Sequence, residues 1–305
     1  MGDVAIQVSG LRKSYGRTEA VRGIDLQVFK GEVFALLGPN GAGKTTTVEV
    51  LEGHRDRNAG DVDVLGHDPG RNEIELKRRI GIVLQTTGVE PYLTVEETIR
   101  LFGGYYPHPR PLDEILEVTG LTESRRSTVR KLSGGQQRRL DVAVGLTGDP
   151  ELLFLDEPTT GFDPAARRGA WDMVKNLQSL GKTIFLTTHY MDEAEYLADR
   201  VAILVRGEIV AEGAPSELTH RDVTTIKFRL APGDPELPSG LPAVTRAGDG
   251  RVTMETGTPT KTLYALTQWA NERGLELQEL TVSRPSLEDV FLDLAAPRDG
   301  AEDSE

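Results

Sequence analysis

Apolar and polar residues alternate along Val4 to Val8 and again along Ile24 to Val28, the period of a strand with one buried face. Val33-Phe34-Ala35-Leu36-Leu37 breaks that rhythm. It is apolar at each position and stops at Gly38, as a strand covered on both faces does. The spacing then predicts a helix over Thr45 to Leu51, a second over residues 73–79, and a strand over Ile80 to Leu84. From about Val95 to Leu121 the pattern is mainly helical, interrupted by the Pro-rich piece Pro107 to Pro111. A helix starting near Ser133, a strand at Leu152 to Asp156, a helix from about Pro164 to Leu180 and a strand at Thr183 to Thr188 follow. Gly181 suits the C′ position of the longer helix. Val201 to Val205 and Glu208 to Ala211 predict a hairpin turning at Arg206-Gly207. Strands and helices in alternation imply an α/β domain with a largely parallel sheet.

After Pro215 the rhythm changes. Strands are expected at Thr224 to Leu230, Arg251 to Glu255 and Glu276 to Val282, with a Pro/Gly-rich stretch from Ala231 to Pro242. Helices at about Lys261 to Arg273 and Ser286 to Leu294 complete a small α+β domain. Charge sharpens this division. The chain carries 35 Lys and Arg against 48 Asp and Glu, a net of −13. From Asp222 onward there are 15 acids and 8 bases, a net of −7 that leaves −6 for the first 221 residues. The expected domains are therefore residues 1–220 and 221–296, followed by an acidic tail, 297–305, expected to be disordered.

The acidic balance argues against a protein that coats nucleic acid or anionic lipid through bulk charge. With no cysteine, a thiolate metal site, a Cys nucleophile and a disulfide framework are excluded. Apolar runs such as Leu152 to Leu155 and Val201 to Val205 fall far short of the ~18 residues that span a bilayer. The N-terminus lacks the basic and apolar segments of a secretory signal, so the chain is expected to stay in the cytoplasm. Any membrane role would need a partner that supplies the span.

The candidate chemistry begins at Gly38-Pro39-Asn40-Gly41-Ala42-Gly43-Lys44-Thr45, which matches G-x-x-x-x-G-K-[ST] at every fixed position. The glycines let successive backbone N–H groups point at a phosphate, and the following helix adds its positive end. Lys44 can reach the β- and γ-phosphates, and the Thr45 hydroxyl can ligate Mg²⁺, with Thr46 beside it. Asp156 and Glu157 end an apolar strand, and in a parallel sheet ligands bind beyond the carboxyl ends of the strands. Asp156 fits a direct or indirect Mg²⁺ role, and Glu157, one residue further out, suits a general base for an attacking water. His189 ends the strand at Thr188 on the same edge, where it could meet the γ-phosphate or that water. Gln85 follows another strand, and its amide could ligate Mg²⁺ or water. In Leu132-Ser133-Gly134-Gly135-Gln136, Ser133 is a good N-cap and the glycines bare the N–H groups of a helix start. A nucleotide already enclosed by the first cradle offers only its remaining face to this second one, an arrangement that invites a sandwich between two molecules.

These segments, together with Gly161-Phe162-Asp163, occur in the order and spacing of an ABC-transporter ATPase, which the chain resembles over roughly residues 4–218. The resemblance implies a P-loop NTPase cassette with a helical subdomain at about residues 90–147, followed by the small C-terminal α+β domain. It implies ATP and Mg²⁺ as ligands, and a homodimer closing head to tail with each P-loop facing the partner copy's Ser133 segment. Tyr15 matches the aromatic that stacks on adenine, and Asp163 matches the acid of the D-loop, although Phe162 stands where Leu is commoner. Arg284-Pro285-Ser286-Leu287-Glu288-Asp289-Val290-Phe291-Leu292 resembles the ending of bacterial drug-efflux ATPases of the daunorubicin-resistance type, which are separate from their ABC-2 permease. The resemblance thus implies an exporter ATPase, for multidrug or antibiotic efflux, held on the inner face of the cell membrane by a permease docked on the helical region.

A soluble ABC ATPase acting on ribosome or nucleic acid is the alternative, with the six bases between Arg125 and Arg139 as its support. A solvated helical face accounts for those bases better, and no nucleic-acid partner is expected. A P-loop kinase or GTPase would leave the Ser133 cradle unexplained.

Overall fold

A computed structural model describes residues 2–71, 73–83, 88–219, 223–231, 235–238 and 240–295. Gln85 and the tail 297–305 lie outside the described residues. The chain divides into two compact units, Met1–Pro215 and Ser216–Glu305.

The first unit opens with β1 (Val4–Tyr15) and β2 (Thr18–Phe29), each longer than the alternation predicts. They pair antiparallel. β3 (Val33–Leu37) is buried at each position and leads through the glycine loop into α1 (Lys44–Leu51). β4 (Ala59–Val64) was not expected from the sequence. It adds to β1, so the opening strands form a separate antiparallel sheet of order β2-β1-β4. Its sequence, Ala-Gly-Asp-Val-Asp-Val, carries only two strongly apolar strand formers, both facing the core.

Next come α2 (Ile74–Arg79), β5 (Ile80–Val83), α3 (Val95–Gly103), α4 (Leu112–Val118) and α5 (Gly134–Gly145). Thr94 caps α3 through a reciprocal box with Glu97. The helical region has its own core, in which Val95 and Ile99 meet Ile115, Leu116 and Leu140. β6 (Leu152–Asp156), α6 (Pro164–Ser179), β7 (Thr183–Thr188), α7 (Met191–Leu197), β8 (Arg200–Val205) and β9 (Glu208–Gly213) complete the unit. Gly181, at φ 82°, follows α6 in the left-handed conformation its position requires.

The main sheet has the order β5-β6-β7-β3-β8-β9 and is parallel except at the β8–β9 hairpin. Phe185 sits at its centre, 5.5 Å from the Phe34 ring and 5.8 Å from the Phe154 ring. This order sets the carboxyl ends of β3, β6 and β7 side by side.

The second unit contains β10 (Thr224–Arg229), β11 (Val244–Arg246), β12 (Arg251–Thr256), α8 (Pro259–Glu272), β13 (Gln278–Ser283) and α9 (Leu287–Ala295). Its sheet is antiparallel, of order β11-β12-β10-β13. α8 packs Leu266 and Trp269 on Ile226, Phe228, Val252 and Met254. Among the described residues no helix is long and apolar enough to cross a membrane.

Candidate nucleotide site

The loop between β3 and α1 has the close approaches that demand glycine. The Gly38 N–H donates to the Thr188 carbonyl at 3.3 Å, tying the loop to the end of β7. A Cβ on Gly38 would lie 2.3 Å from the Leu204 carbonyl oxygen, and one on Gly43 would lie 2.3 Å from that of Ala20. Gly43 also adopts φ 106°, a conformation closed to side chains with a Cβ. Lys44, only 5% exposed, donates from Nζ to the carbonyls of Gly38 at 2.9 Å and Pro39 at 3.2 Å. The same ammonium is 3.4 Å from Glu157 Oε1.

The facing acids are held by β7. Asp156 pairs in register with Thr187, whose hydroxyl donates to Asp156 Oδ1 at 2.5 Å. The Glu157 N–H donates to the Thr187 carbonyl and to its Oγ1, both at 3.1 Å. Glu157 itself takes φ 46°, an uncommon left-handed conformation that throws its side chain off the strand end. From α5, the buried Arg138 guanidinium donates to the carbonyls of Asp156 at 2.8 Å and Pro158 at 3.2 Å.

The Glu157 carboxylate accepts from the Thr160 hydroxyl at 3.1 Å. His189 Nδ1 lies 3.2 Å from Oε1. Burial pushes the Glu157 carboxyl up, but His189, Lys44 and Thr160 together outweigh it and hold its pKa below the ordinary value. Glu52, buried at the end of α1, shows the opposite balance. Burial, then the charges of Asp156 and Glu49, push its carboxyl up to about 8.

A cavity of about 530 Å³ opens over the loop, lined by Asn40, Gly41, Gly43, Lys44, Thr45 and Thr46 and, across from them, Glu157, Thr160 and His189. Residues far apart in the chain thus meet: a cationic, glycine-built cradle faces a carboxylate and an imidazole. Gly38, Pro39, Ala42 and Asp156 are not among the residues that line the cavity. Other predicted residues lie elsewhere. Tyr15 ends β1, 42% exposed, with the cations of Lys13 and Arg55 at 5.4 Å and 5.2 Å from its ring centre. Ser133, Gly134, Gly135 and Gln136 begin α5 outside the cavity, where Ser133 accepts from the Gln136 N–H at 3.3 Å and its own N–H donates to Gln136 Oε1 at 2.9 Å. Asp163 caps α6, accepting from the N–H groups of Ala165 and Ala166 at 2.9 Å each.

Thr160, Thr187 and Arg138 hydrogen-bond to the acids of the site or to their backbone, and sequence reasoning did not place them there. Thr187 had a signal, since a polar residue stands at the loop-facing end of a strand whose middle, Ile184 to Leu186, is apolar. Arg138 corrects the expectation of a wholly solvated basic face between Arg125 and Arg139, for it is 7% exposed. The backbone carbonyls it binds cannot be read from side-chain pattern.

A glycine cradle around a buried lysine, set against an acid at the carboxyl edge of a parallel sheet, defines a P-loop nucleoside triphosphatase. Comparison with known proteins narrows that class. Residues 21–160 match the ABC transporter family, and residues 224–286 match the ABC transporter domain-containing protein-like, C-terminal domain. The daunorubicin resistance ATP-binding protein DrrA3 of Streptomyces coeruleorubidus is 40% identical over 305 residues, covering 96% of each chain. The Nod factor export ATP-binding protein I of Rhizobium sp. (strain N33) is 40% identical over 307 residues, covering 96% of this chain and 98% of its own. A solved ATP-binding cassette of an ABC transporter in its ADP conformation superposes with a TM-score of 0.64 at 26% identity, over 70% of this chain and 92% of the other. A dimeric cassette in a post-hydrolysis state bound to ADP and Pi does so with a TM-score of 0.61 at 25% identity, over 68% and 98%. The chain belongs to the ATP-binding, ATP-hydrolysing proteins of the ABC transporter family.

Proposed function

We propose that this chain is the ATPase subunit of an exporter for a drug or antibiotic, and that it drives a separate membrane permease. The observation that carries the hydrolytic part is the meeting of Lys44, Glu157 and His189 in one cavity over the glycine loop. The likeness along nearly the whole chain to a daunorubicin resistance protein supports the export part.

In this reading the N–H groups of Asn40 to Thr46 and the Lys44 ammonium bind the phosphates of ATP, and Tyr15 stacks on its base. Glu157, kept ionised by its neighbours, accepts the proton of a water as the water oxygen bonds to the γ-phosphorus. The bond from that phosphorus to the bridging oxygen breaks, and ADP leaves with the electron pair. His189 holds the γ-phosphate or the water in line. The Thr45 hydroxyl and the Asp156 carboxylate suit Mg²⁺, which takes one or two carboxylate-type ligands beside substrate phosphates and water, and the Gln85 amide is proposed from the sequence as a further ligand. Bound there, Mg²⁺ would neutralise charge on the phosphates.

Ser133 to Gln136 begin a capped helix outside the lining of their own chain's cavity. This supports a second copy turned head to tail, each Ser133 segment closing the other's nucleotide, with Asp163 at the same interface. Residues 1–220 form the cassette and 221–296 an accessory domain, and the permease docks on the helical region on the cytoplasmic side of the membrane. A soluble role on ribosome or nucleic acid finds no support in the relatives, whose names are those of resistance and export proteins.

Glu157→Gln tests the centre of this reading. The variant is expected to bind ATP normally and turn it over at least ~100-fold more slowly. Turnover near the wild-type rate would remove Glu157 from the role of base.

A further inference from the structure

The buried carboxylate of Glu193 plays no part in the chemistry above, yet it joins the segments that carry it. Glu193 lies in α7, fully buried, four residues after His189. A carboxyl so placed is stabilised by hydrogen bonds, and here they gather on one oxygen, Oε1, while Oε2 has no hydrogen-bond partner among the described residues. The Thr159 hydroxyl donates to its Oε1 at 2.7 Å and the Trp171 indole N–H at 3.0 Å. Thr159 is two residues beyond Glu157, and its neighbour Thr160 donates to the Glu157 carboxylate at 3.1 Å. Trp171 belongs to α6, the helix capped by Asp163, and packs on Tyr196 of α7 at 5.1 Å. Burial pushes the Glu193 carboxyl up, opposed by the Thr188, Thr159 and Trp171 donors and the Arg167 charge. Arg167 lies 4.2 Å over the ring of Tyr190, the residue after His189.

Two strand ends and two helices therefore converge on one acceptor. We propose that Glu193 is a positioning residue for ATP hydrolysis: by tying Thr159 and Trp171 to α7 it sets the separation of Glu157 from His189. The inference rests on the reading of Glu157 and His189 as the hydrolytic pair. Its physical basis is that Thr187 fixes the Glu157 backbone to the end of β7, while beyond those strand ends the Thr159 segment and the helix after His189 are joined through Glu193. A displacement of about 1 Å at a reacting group can cost on the order of 100-fold in rate.

The test uses the full chain and measures kcat, KM for ATP, and the imidazole NMR signals of its five histidines. The His189 signal is assigned by its loss in His189→Gln. Thr159→Val, nearly isosteric, removes one donor. It is expected to lower kcat by ~10-fold with KM within twofold, the signature of a lost transition-state contribution. It should also shift the His189 signal while those of His54, His67 and His108 stay in place. Glu193→Ala is expected to lower kcat by ~100-fold, and Glu193→Gln, which keeps an acceptor oxygen, to recover most of that loss. Should Glu193→Ala not fold, Thr159→Val decides alone. The proposal is overturned by an unchanged kcat in folded Thr159→Val, or by a fall in kcat with the His189 signal unmoved. Glu157→Gln run in parallel separates the two levels: if it keeps turnover, the hydrolytic reading fails, and if it loses turnover while Thr159→Val does not, only the positioning role fails.

Discussion

The two units solve the same burial problem differently. β3, β6 and β7 are buried at each residue, covered on both faces, whereas β10 and β12 mix buried and open positions along one packed face. The first unit also buries ionisable groups: Lys44, Glu52, Arg138, Asp156 and Glu193 are all under 9% exposed except Asp156, at 9%. Among the described residues of the second unit, the buried polar side chains are threonines. Burying charge is costly unless each group is paired, so its concentration in one unit marks where selection for chemistry outweighs stability. A sheet covered on both faces gives that chemistry a rigid edge. The second unit, with one covered face and no buried charge among its described residues, is built for packing.

The largest expected effect that separates the units is on Phe185→Ala. Phe185 is fully buried between Phe34 and Phe154 on the strand that ends at Thr188, so the change should cost about 3–5 kcal/mol in denaturant unfolding. Nucleotide affinity should fall with it. Trp269→Ala should cost about 3 kcal/mol but unfold only the second unit, because its core of Ile226, Phe228, Val252 and Met254 is its own. Nucleotide affinity measured on that variant should be unchanged; a loss would show that the first unit depends on the second.

Glu52 gives a smaller, pH-dependent difference. Its folded pKa of about 8 lies above the usual 4.5, so the folded state holds the proton more tightly than the unfolded state between those values. Wild-type stability from this group is therefore fully present below about pH 4.5 and declines as pH rises towards 8. Glu52→Gln lacks that decline. Its melting temperature should gain on the wild type across this window and run parallel to it above, and a constant offset would refute the buried carboxyl as the cause.

Much of the fold and site was legible along the chain. Val33 to Leu37, Leu152 to Asp156 and Thr183 to Thr188 read as strands because apolar runs bounded by Gly, Pro or charge leave few alternatives. β4 was missed because Gly60, Asp61 and Asp63 mask its two valines. α7 was missed because seven residues carry too little period to detect. At the site, the glycine loop and the acids were visible because each is a contiguous motif. Thr187 and Arg138 were not, because they act on backbone groups or through distant pairing, and Thr160, three residues from Glu157, belongs to no motif that spacing alone picks out.

The order of glycines around Lys44, the apolar strands before Gly38 and Asp156, and the capped start of α5 are local properties, determined by residue chemistry at fixed short spacing. That Thr187 grips both Asp156 and Glu157, and that Glu157 turns at φ 46° to stand between Lys44 and His189, was decided only by the tertiary structure. These residues meet because the sheet order sets β3, β6 and β7 edge to edge. A linear pattern specifies which face of a strand is buried, but the neighbour it is buried against is chosen by the packing of the whole sheet.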